Sequence, residues 1–335
     1  MTFEKIIQDL RNKIYHPVYF LHGNEPYYID LIADFIADKV LDETEREFNQ
    51  AILYGKDVDV SAILSHAKRY PMMSNYQVVI VKEAQDIKNF DKSDALLHYL
   101  ENPLKSTLLV FSYKYKTVDK RTRLVKLLQQ HTVFFESKKI YDDKLAGWIT
   151  GYLSEKNYRI SPKASVLIAE NIGNDLNRIA NELDKLCLNI QHGKEIGVDE
   201  IERNIGISKE FNVFELQHAL SKKDALKANR IINYFASNPK NNPLVLILGN
   251  LYNFFSKIMI YHQLNDKSRN NVAAALGVNA FFIKDYEQAA HTFSYPKVLK
   301  IIEHLRDCDM KSKGVGSENT EDGELLKELV FKIIH

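Results

Sequence analysis

A chain of 335 residues, 45% of them hydrophobic, can bury more than one core, and 45 Lys plus Arg against 44 Asp plus Glu leave a formal net charge of +1. Two or three domains are therefore expected, and a protein drawn as a whole onto nucleic acid is excluded, so that any DNA contact is local or shared with partners. Cys187 and Cys308 stand far apart without neighbouring ligand residues, which excludes a cysteine-rich zinc site and a disulfide framework; the amphipathic, charged N-terminus is not a signal peptide, and no apolar run reaches the roughly 18 residues of a membrane span, so the expected compartment is the cytoplasm.

The run PVYFL at 17–21 reads as a strand; Gly23, Asn24 and Pro26 break it, and YYIDLIADFIADKVL resumes at helical spacing. A helix near 60–69 leads to the strand QVVIVKEA at 77–84, and two further strands, STLLVFSY at 106–113 and HTVFFES ending at 137, are separated by the helical patterns DALLHYLEN and DKRTRLVKLLQQ. Strands alternating with helices predict a parallel sheet covered on both faces, an α/β domain over 1–140. Beyond it strand signals nearly vanish. Ser161 with Pro162 supplies an N-cap and a first-turn proline, and a small helical domain is expected over 141–209. An all-α domain over 210–335 follows, punctuated at 238–243, 268–271 and 314–323. Its apolar stretch at 243–260 reads as a domain core, with an oligomer seam as the other reading.

Gly23, Asn24, Glu25 and Pro26 sit where a phosphate-binding loop would, between the first strand and its helix. A working loop needs several glycines, a Lys for the terminal phosphates and a Ser or Thr for magnesium. Tyr27, Tyr28 and Ile29 stand there instead. At the end of the 77–84 strand Lys82 precedes Glu83 where an Asp-Glu pair would hold magnesium, and Glu83 reads as an exposed strand-end carboxylate. Ser112 and Tyr113 end the 106–113 strand without a sensor Asn or Thr. The domain reads as a degenerate nucleotide fold kept for binding, with no cofactor and no catalytic residue. None of the eleven His has metal-site spacing, and no metal is expected.

Tyr70, Pro71, Met72 and Met73 close the helix before the 77–84 strand. The methionines read either as core packing or as an apolar pair projecting toward a partner's pocket. Lys114, Lys116, Lys120, Arg121 and Arg123, interleaved with Tyr113 and Tyr115, form a candidate phosphate-contact patch, the other reading being a solvated loop and helix face. Lys311 and Lys313, beside glycines 314 and 316, read as a loop.

Taken together, YFLHGNEPYYID, the Pro-Met-Met followed by QVVIVKEAQ, GNDLNRIANELDKL at 173–186 and FNVFELQHAL from 211 resemble, over essentially the whole chain, the delta-subunit family of bacterial DNA polymerase III. The resemblance implies a clamp-loader AAA+ architecture: a degenerate nucleotide domain, a helical lid and a helical collar that joins gamma/tau and delta prime subunits in a hetero-pentamer. It implies a non-catalytic subunit that binds and opens the beta sliding clamp for loading onto primed DNA, while neighbouring subunits bind ATP. The family's apolar contact pair, Leu-Phe-like, maps onto Met72 and Met73, supported by Pro71 and Tyr70. A free-standing nucleic-acid-binding or scaffold protein on the same degenerate fold is the alternative, and near-zero net charge weighs against it.

Overall fold

The computed structural model describes residues 1–315 and 320–335 and divides the chain into two compact units, Met1–Ile140 and Tyr141–His335. In the first, α1 (Phe3–Arg11), β1 (Val18–Gly23), α2 (Pro26–Lys39), α3 (Glu43–Asn49), β2 (Gln50–Tyr54), α4 (Val60–Ala67), β3 (Gln77–Lys82), α5 (Asp94–Glu101), β4 (Thr107–Lys114), α6 (Arg123–His131) and β5 (Val133–Ser137) follow in order. The five strands form one parallel sheet ordered β2-β3-β4-β1-β5. β1, β3 and β4 occupy its middle and are buried along nearly their whole length, which is why they read as unbroken apolar runs. α1 and α2 pack on one face over Leu21, Ile80 and Val110, while α4, α5 and α6 cover the other over Phe20, Val79 and Phe111.

Sequence reading misses β2. It is an edge strand of five residues whose Ile52 and Tyr54 remain exposed, so its pattern lacks a buried strand's apolarity.

The second unit holds α7 (Asp142–Glu155), β6 (Arg159–Ile160), α8 (Pro162–Ile172), α9 (Leu176–Asn189), β7 (Glu195–Ile196), α10 (Val198–Ile205), α11 (Val213–Ser221), α12 (Ala225–Ser237), α13 (Leu244–Gln263), α14 (Arg269–Leu276), α15 (Ile283–Thr292), α16 (Tyr295–Ser312) and α17 (Asp322–Ile334). Ser161 caps α8, its side chain accepting from the Ala164 amide at 3.3 Å, with Pro162 in the first turn. Of the break expected at 314–323, residues 316–319, Gly316 among them, lie outside the described residues.

α13 runs through the second unit's main core, burying Leu251, Phe254, Phe255 and Ile258 against α16 and α17. Its 20 residues, with mean hydropathy 1.4, make it long and apolar enough to cross a membrane by length and composition, where the sequence expectation found no such run. The buried face accounts for that apolarity: these side chains are the inside of a helical core.

Candidate functional site

Parallel sheets bind ligands outside the carboxyl ends of their strands, so the ends of β1, β3 and β4 were the place to expect a nucleotide. β1 leaves the sheet through Gly23, whose φ is +138°; a Cβ built there would lie 2.0 Å from the Ser137 carbonyl oxygen, so only glycine passes. Glu25 follows, 4% exposed, and caps α2. Its Oε1 accepts from the Tyr27 amide at 3.2 Å, and its own amide donates to the Ser137 carbonyl at 3.3 Å. A helix N-terminus attracts anions through its free amides and dipole. Here the protein's own carboxylate takes that position, Pro26 deletes an amide, and Tyr27 is buried where the phosphate-reaching lysine would stand.

The other strand ends are closed by charge pairing. Lys82 lies 3.6 Å from Asp34. Glu83, left-handed at φ 52°, is half-buried where the sequence reading expected an exposed strand-end carboxylate, and it lies 3.3 Å from the Lys114 ammonium. Lys114 lies 2.6 Å from Asp30 as well, and its amide donates to Gln85 Oε1 at 3.0 Å. Burial alone would lower the Lys114 pKa, but the hydrogen bond and charge of Asp30, with Glu83 beside it, hold it above the usual lysine value. Burial pushes the Asp30 carboxyl up, against the pull of Lys114. A cation bracketed by two carboxylates thus occupies the crevice from within.

The same observation corrects the basic patch. Lys114 is buried and belongs to this network, so it is not a surface cation. Of the remainder, Lys120 pairs with Glu136 at 2.8 Å, Arg121 with Asp119 at 2.8 Å and Arg123 with Glu101 at 3.7 Å. Lys116 is exposed and has no ion-pair partner among the described residues. What reads in sequence as five clustered positive charges is in space one free cation and four compensated ones.

The methionine segment behaves differently. Residues 70–76 form a bend and not a helix end, with Tyr70 75%, Met72 63% and Met73 103% exposed, while Pro71 is part-buried. Both methionines face solvent because the backbone turns between them, Met73 taking the left-handed φ of 52° that a non-glycine residue adopts only when its surroundings impose it. Asn49, fully buried at the end of α3, supplies that constraint. Its Oδ1 accepts from the Met72 amide at 2.6 Å, and its Nδ2 donates to the Met72 carbonyl at 2.9 Å and to the Glu45 carbonyl at 3.0 Å. Its neighbour Phe48 is 66% exposed. Sequence reading found neither Asn49 nor Phe48; a lone Phe-Asn pair at the end of an acidic helix carries no signal of a partner loop elsewhere in the chain.

Comparison with known proteins adds the following. A family model described as DNA polymerase III, delta subunit, matches residues 19–138, and one described as DNA polymerase III delta subunit, C-terminal domain, matches 210–330. The Bacillus subtilis DNA polymerase III subunit delta is 24% identical over 338 aligned positions, covering 98% of this chain and 95% of that one. The solved structure of the Bacillus subtilis DNA clamp loader delta protein (YqeN) shares the fold, with TM-score 0.57 and 22% identity over 99% of each chain. The Thermotoga maritima RuvB Holliday junction branch migration motor reaches a TM-score of 0.34 at 13% identity, over 82% of this chain and 79% of that one, too low a likeness to carry an argument.

Proposed function

The chain belongs to the DNA polymerase III delta-subunit family, and from that premise we propose that it binds the beta sliding clamp through Met72 and Met73 and helps to open it for loading onto primed DNA. The observation that carries the reading is the Met72–Met73 bend: two apolar side chains held in solvent by a fully buried asparagine that bonds both backbone groups of Met72. Large apolar side chains held outward on a fixed backbone fit a partner's pocket with little ordering cost on binding. Tyr70 and Pro71 flank the pair, and Phe48 extends the apolar surface.

The subunit acts without hydrolysing ATP, a reading supported by the carboxylate cap of Glu25 and the Lys114 network at the strand ends. Residues 1–140 serve as the clamp-binding domain, 141–209 as the lid and 210–335 as the collar that assembles with gamma/tau and delta prime subunits in a cytoplasmic hetero-pentamer. Lys116 is the residue of the basic segment best placed to meet a DNA phosphate, being the exposed and unpaired one.

Calorimetric titration of the purified chain with its cognate sliding clamp tests this. Micromolar or tighter binding is expected, lost when Met72 and Met73 are both changed to Ala. Asn49→Ala, which frees the bend while leaving both methionines in place, is expected to weaken binding about tenfold through restored loop entropy. No heat from a folded wild-type chain, or equal affinity in the double variant, would refute the reading.

A further inference from the structure

Within the second unit a cleft of about 1080 Å³ opens between α7 and α8 on one side and α11, α13 and α15 on the other. Phe214, Phe254, Phe282 and Tyr286 form part of its wall. Glu170, in the last turn of α8, turns its carboxyl into that wall, where Oε2 is sealed from solvent and has no hydrogen-bond partner among the described residues. Ser256 Oγ, from α13, is in the same condition. Asp143 and Asp285 also line the cleft, and neither they nor Glu170 belong to an ion pair among the described residues. Among the described residues Lys257 is the one lysine or arginine on the wall, and it stands against four acids, Asp142 included.

Two glycines add an independent indication. Gly147 in α7 and Gly249 in α13 lie inside helices, where glycine destabilises relative to alanine, and both line the cleft. A Cβ built on either meets nothing within 4 Å, so packing against the protein does not require them. They leave helix backbone open to whatever enters.

We propose that this cleft binds a small organic cation, an ammonium carried on an apolar body, with Asp143 and Asp285 facing the charge, Glu170 adding negative charge from within the wall, and the aromatic side chains taking the body. Buried carboxylates call for a counter-charge, and a desolvated ammonium is further favoured over aromatic faces. A concave, largely apolar wall carrying a few convergent polar groups is the usual form of a small-molecule site. The excess of acids over the single lysine selects against an anion.

Burial lifts the Glu170 carboxyl to about 7, with Lys257 opposing. The titratable groups around it are Lys257 on α13, Asp143 on α7, His218 on α11, and Asp285 and Tyr286 on α15. Since the ammonium requires the ionised carboxylate, affinity rises about tenfold from pH 6 to pH 8.

Cadaverine and phenethylamine, both protonated over that range, serve as probes in calorimetric titration of the full chain. The expected result is saturable millimolar or tighter binding of at least one of them, weaker at pH 6. Tighter binding of the first would mark a polyamine-type ligand, and of the second an aromatic amine. Glu170→Gln is expected to lose binding at least tenfold, and so is Gly249→Leu, which fills the cleft and improves helix propensity. Absence of saturable heat with both amines, or binding unchanged in both folded variants, would overturn the proposal, leaving a cleft filled by water. The result is independent of clamp binding, which is read separately.

Discussion

The strand-end crevice of the first unit and the cleft of the second are both rich in acids, and they treat them oppositely. In the crevice every carboxylate described has found a partner: Asp30 and Glu83 share Lys114, Asp34 meets Lys82, and Glu25 caps α2. In the cleft exposed Asp143, half-buried Asp285 and Glu170 are in no ion pair among the described residues, and Glu170 Oε2 lacks even a hydrogen bond among them. A polar site whose charges are satisfied from within has no unmet demand for a ligand, whereas one left unsatisfied is costly until something enters.

The contrast can be broken from either side. Lys114→Met leaves Asp30 and Glu83 together without their cation. Since those carboxylates are about one-third exposed, the expected loss is about 2–3 kcal/mol in chemical denaturation, below the range for fully buried pairs. A loss within measurement error would mean that solvent already screens the network.

Glu170→Gln tests the other side with opposite sign. Its folded value of about 7 lies above the ordinary 4.5, so the native state resists ionisation. The resulting penalty is absent below pH 4.5, grows as pH rises, and is complete above 7. The glutamine variant should exceed the wild type by about 3 kcal/mol at pH 8 and match it near pH 4.5. Thermal melts at the two pH values decide it, and a variant less stable at pH 8 would contradict the unsatisfied state of Glu170.

The smallest effect concerns His22, fully buried beside Phe134, with neither ring nitrogen hydrogen-bonded among the described residues. Burial lowers its pKa to about 4, so stability is lost as pH falls from 6.5 toward 4, where the unfolded chain takes a proton that the native state refuses. His22→Leu should remove about 1–2 kcal/mol of that acid sensitivity at pH 5. An unchanged pH profile would assign it to other groups.

Legibility in sequence followed burial. β1, β3 and β4 announce themselves because both faces are covered, and β2 does not because its exposed residues break the pattern. The absence of a phosphate lysine at Tyr27 to Ile29 is plain in the sequence, but the replacement of a phosphate by the Glu25 carboxylate is a matter of geometry. Met72 and Met73 stand out as an apolar pair beside a proline, yet their direction depends on Asn49, and no local pattern ties that residue to the bend. The basic run misleads for a related reason: like charges are adjacent in sequence, while Asp30 and Glu136 reach them only through the fold.

Gly23 and its surroundings bear finally on reversibility. To cradle a phosphate at this helix N-terminus the chain would have to shed the Glu25 carboxyl, gain an amide at Pro26, and exchange buried Tyr27 for a lysine. Removing the cap alone exposes orphan amides, and a lysine alone buries a charge beside no phosphate. Each step taken singly lowers stability before any ligand rewards it, and Gly23 cannot widen the passage, because any side chain meets Ser137. Mutational routes toward a phosphate-binding loop at this strand end therefore begin uphill, opposed by the same contacts that stabilise the fold.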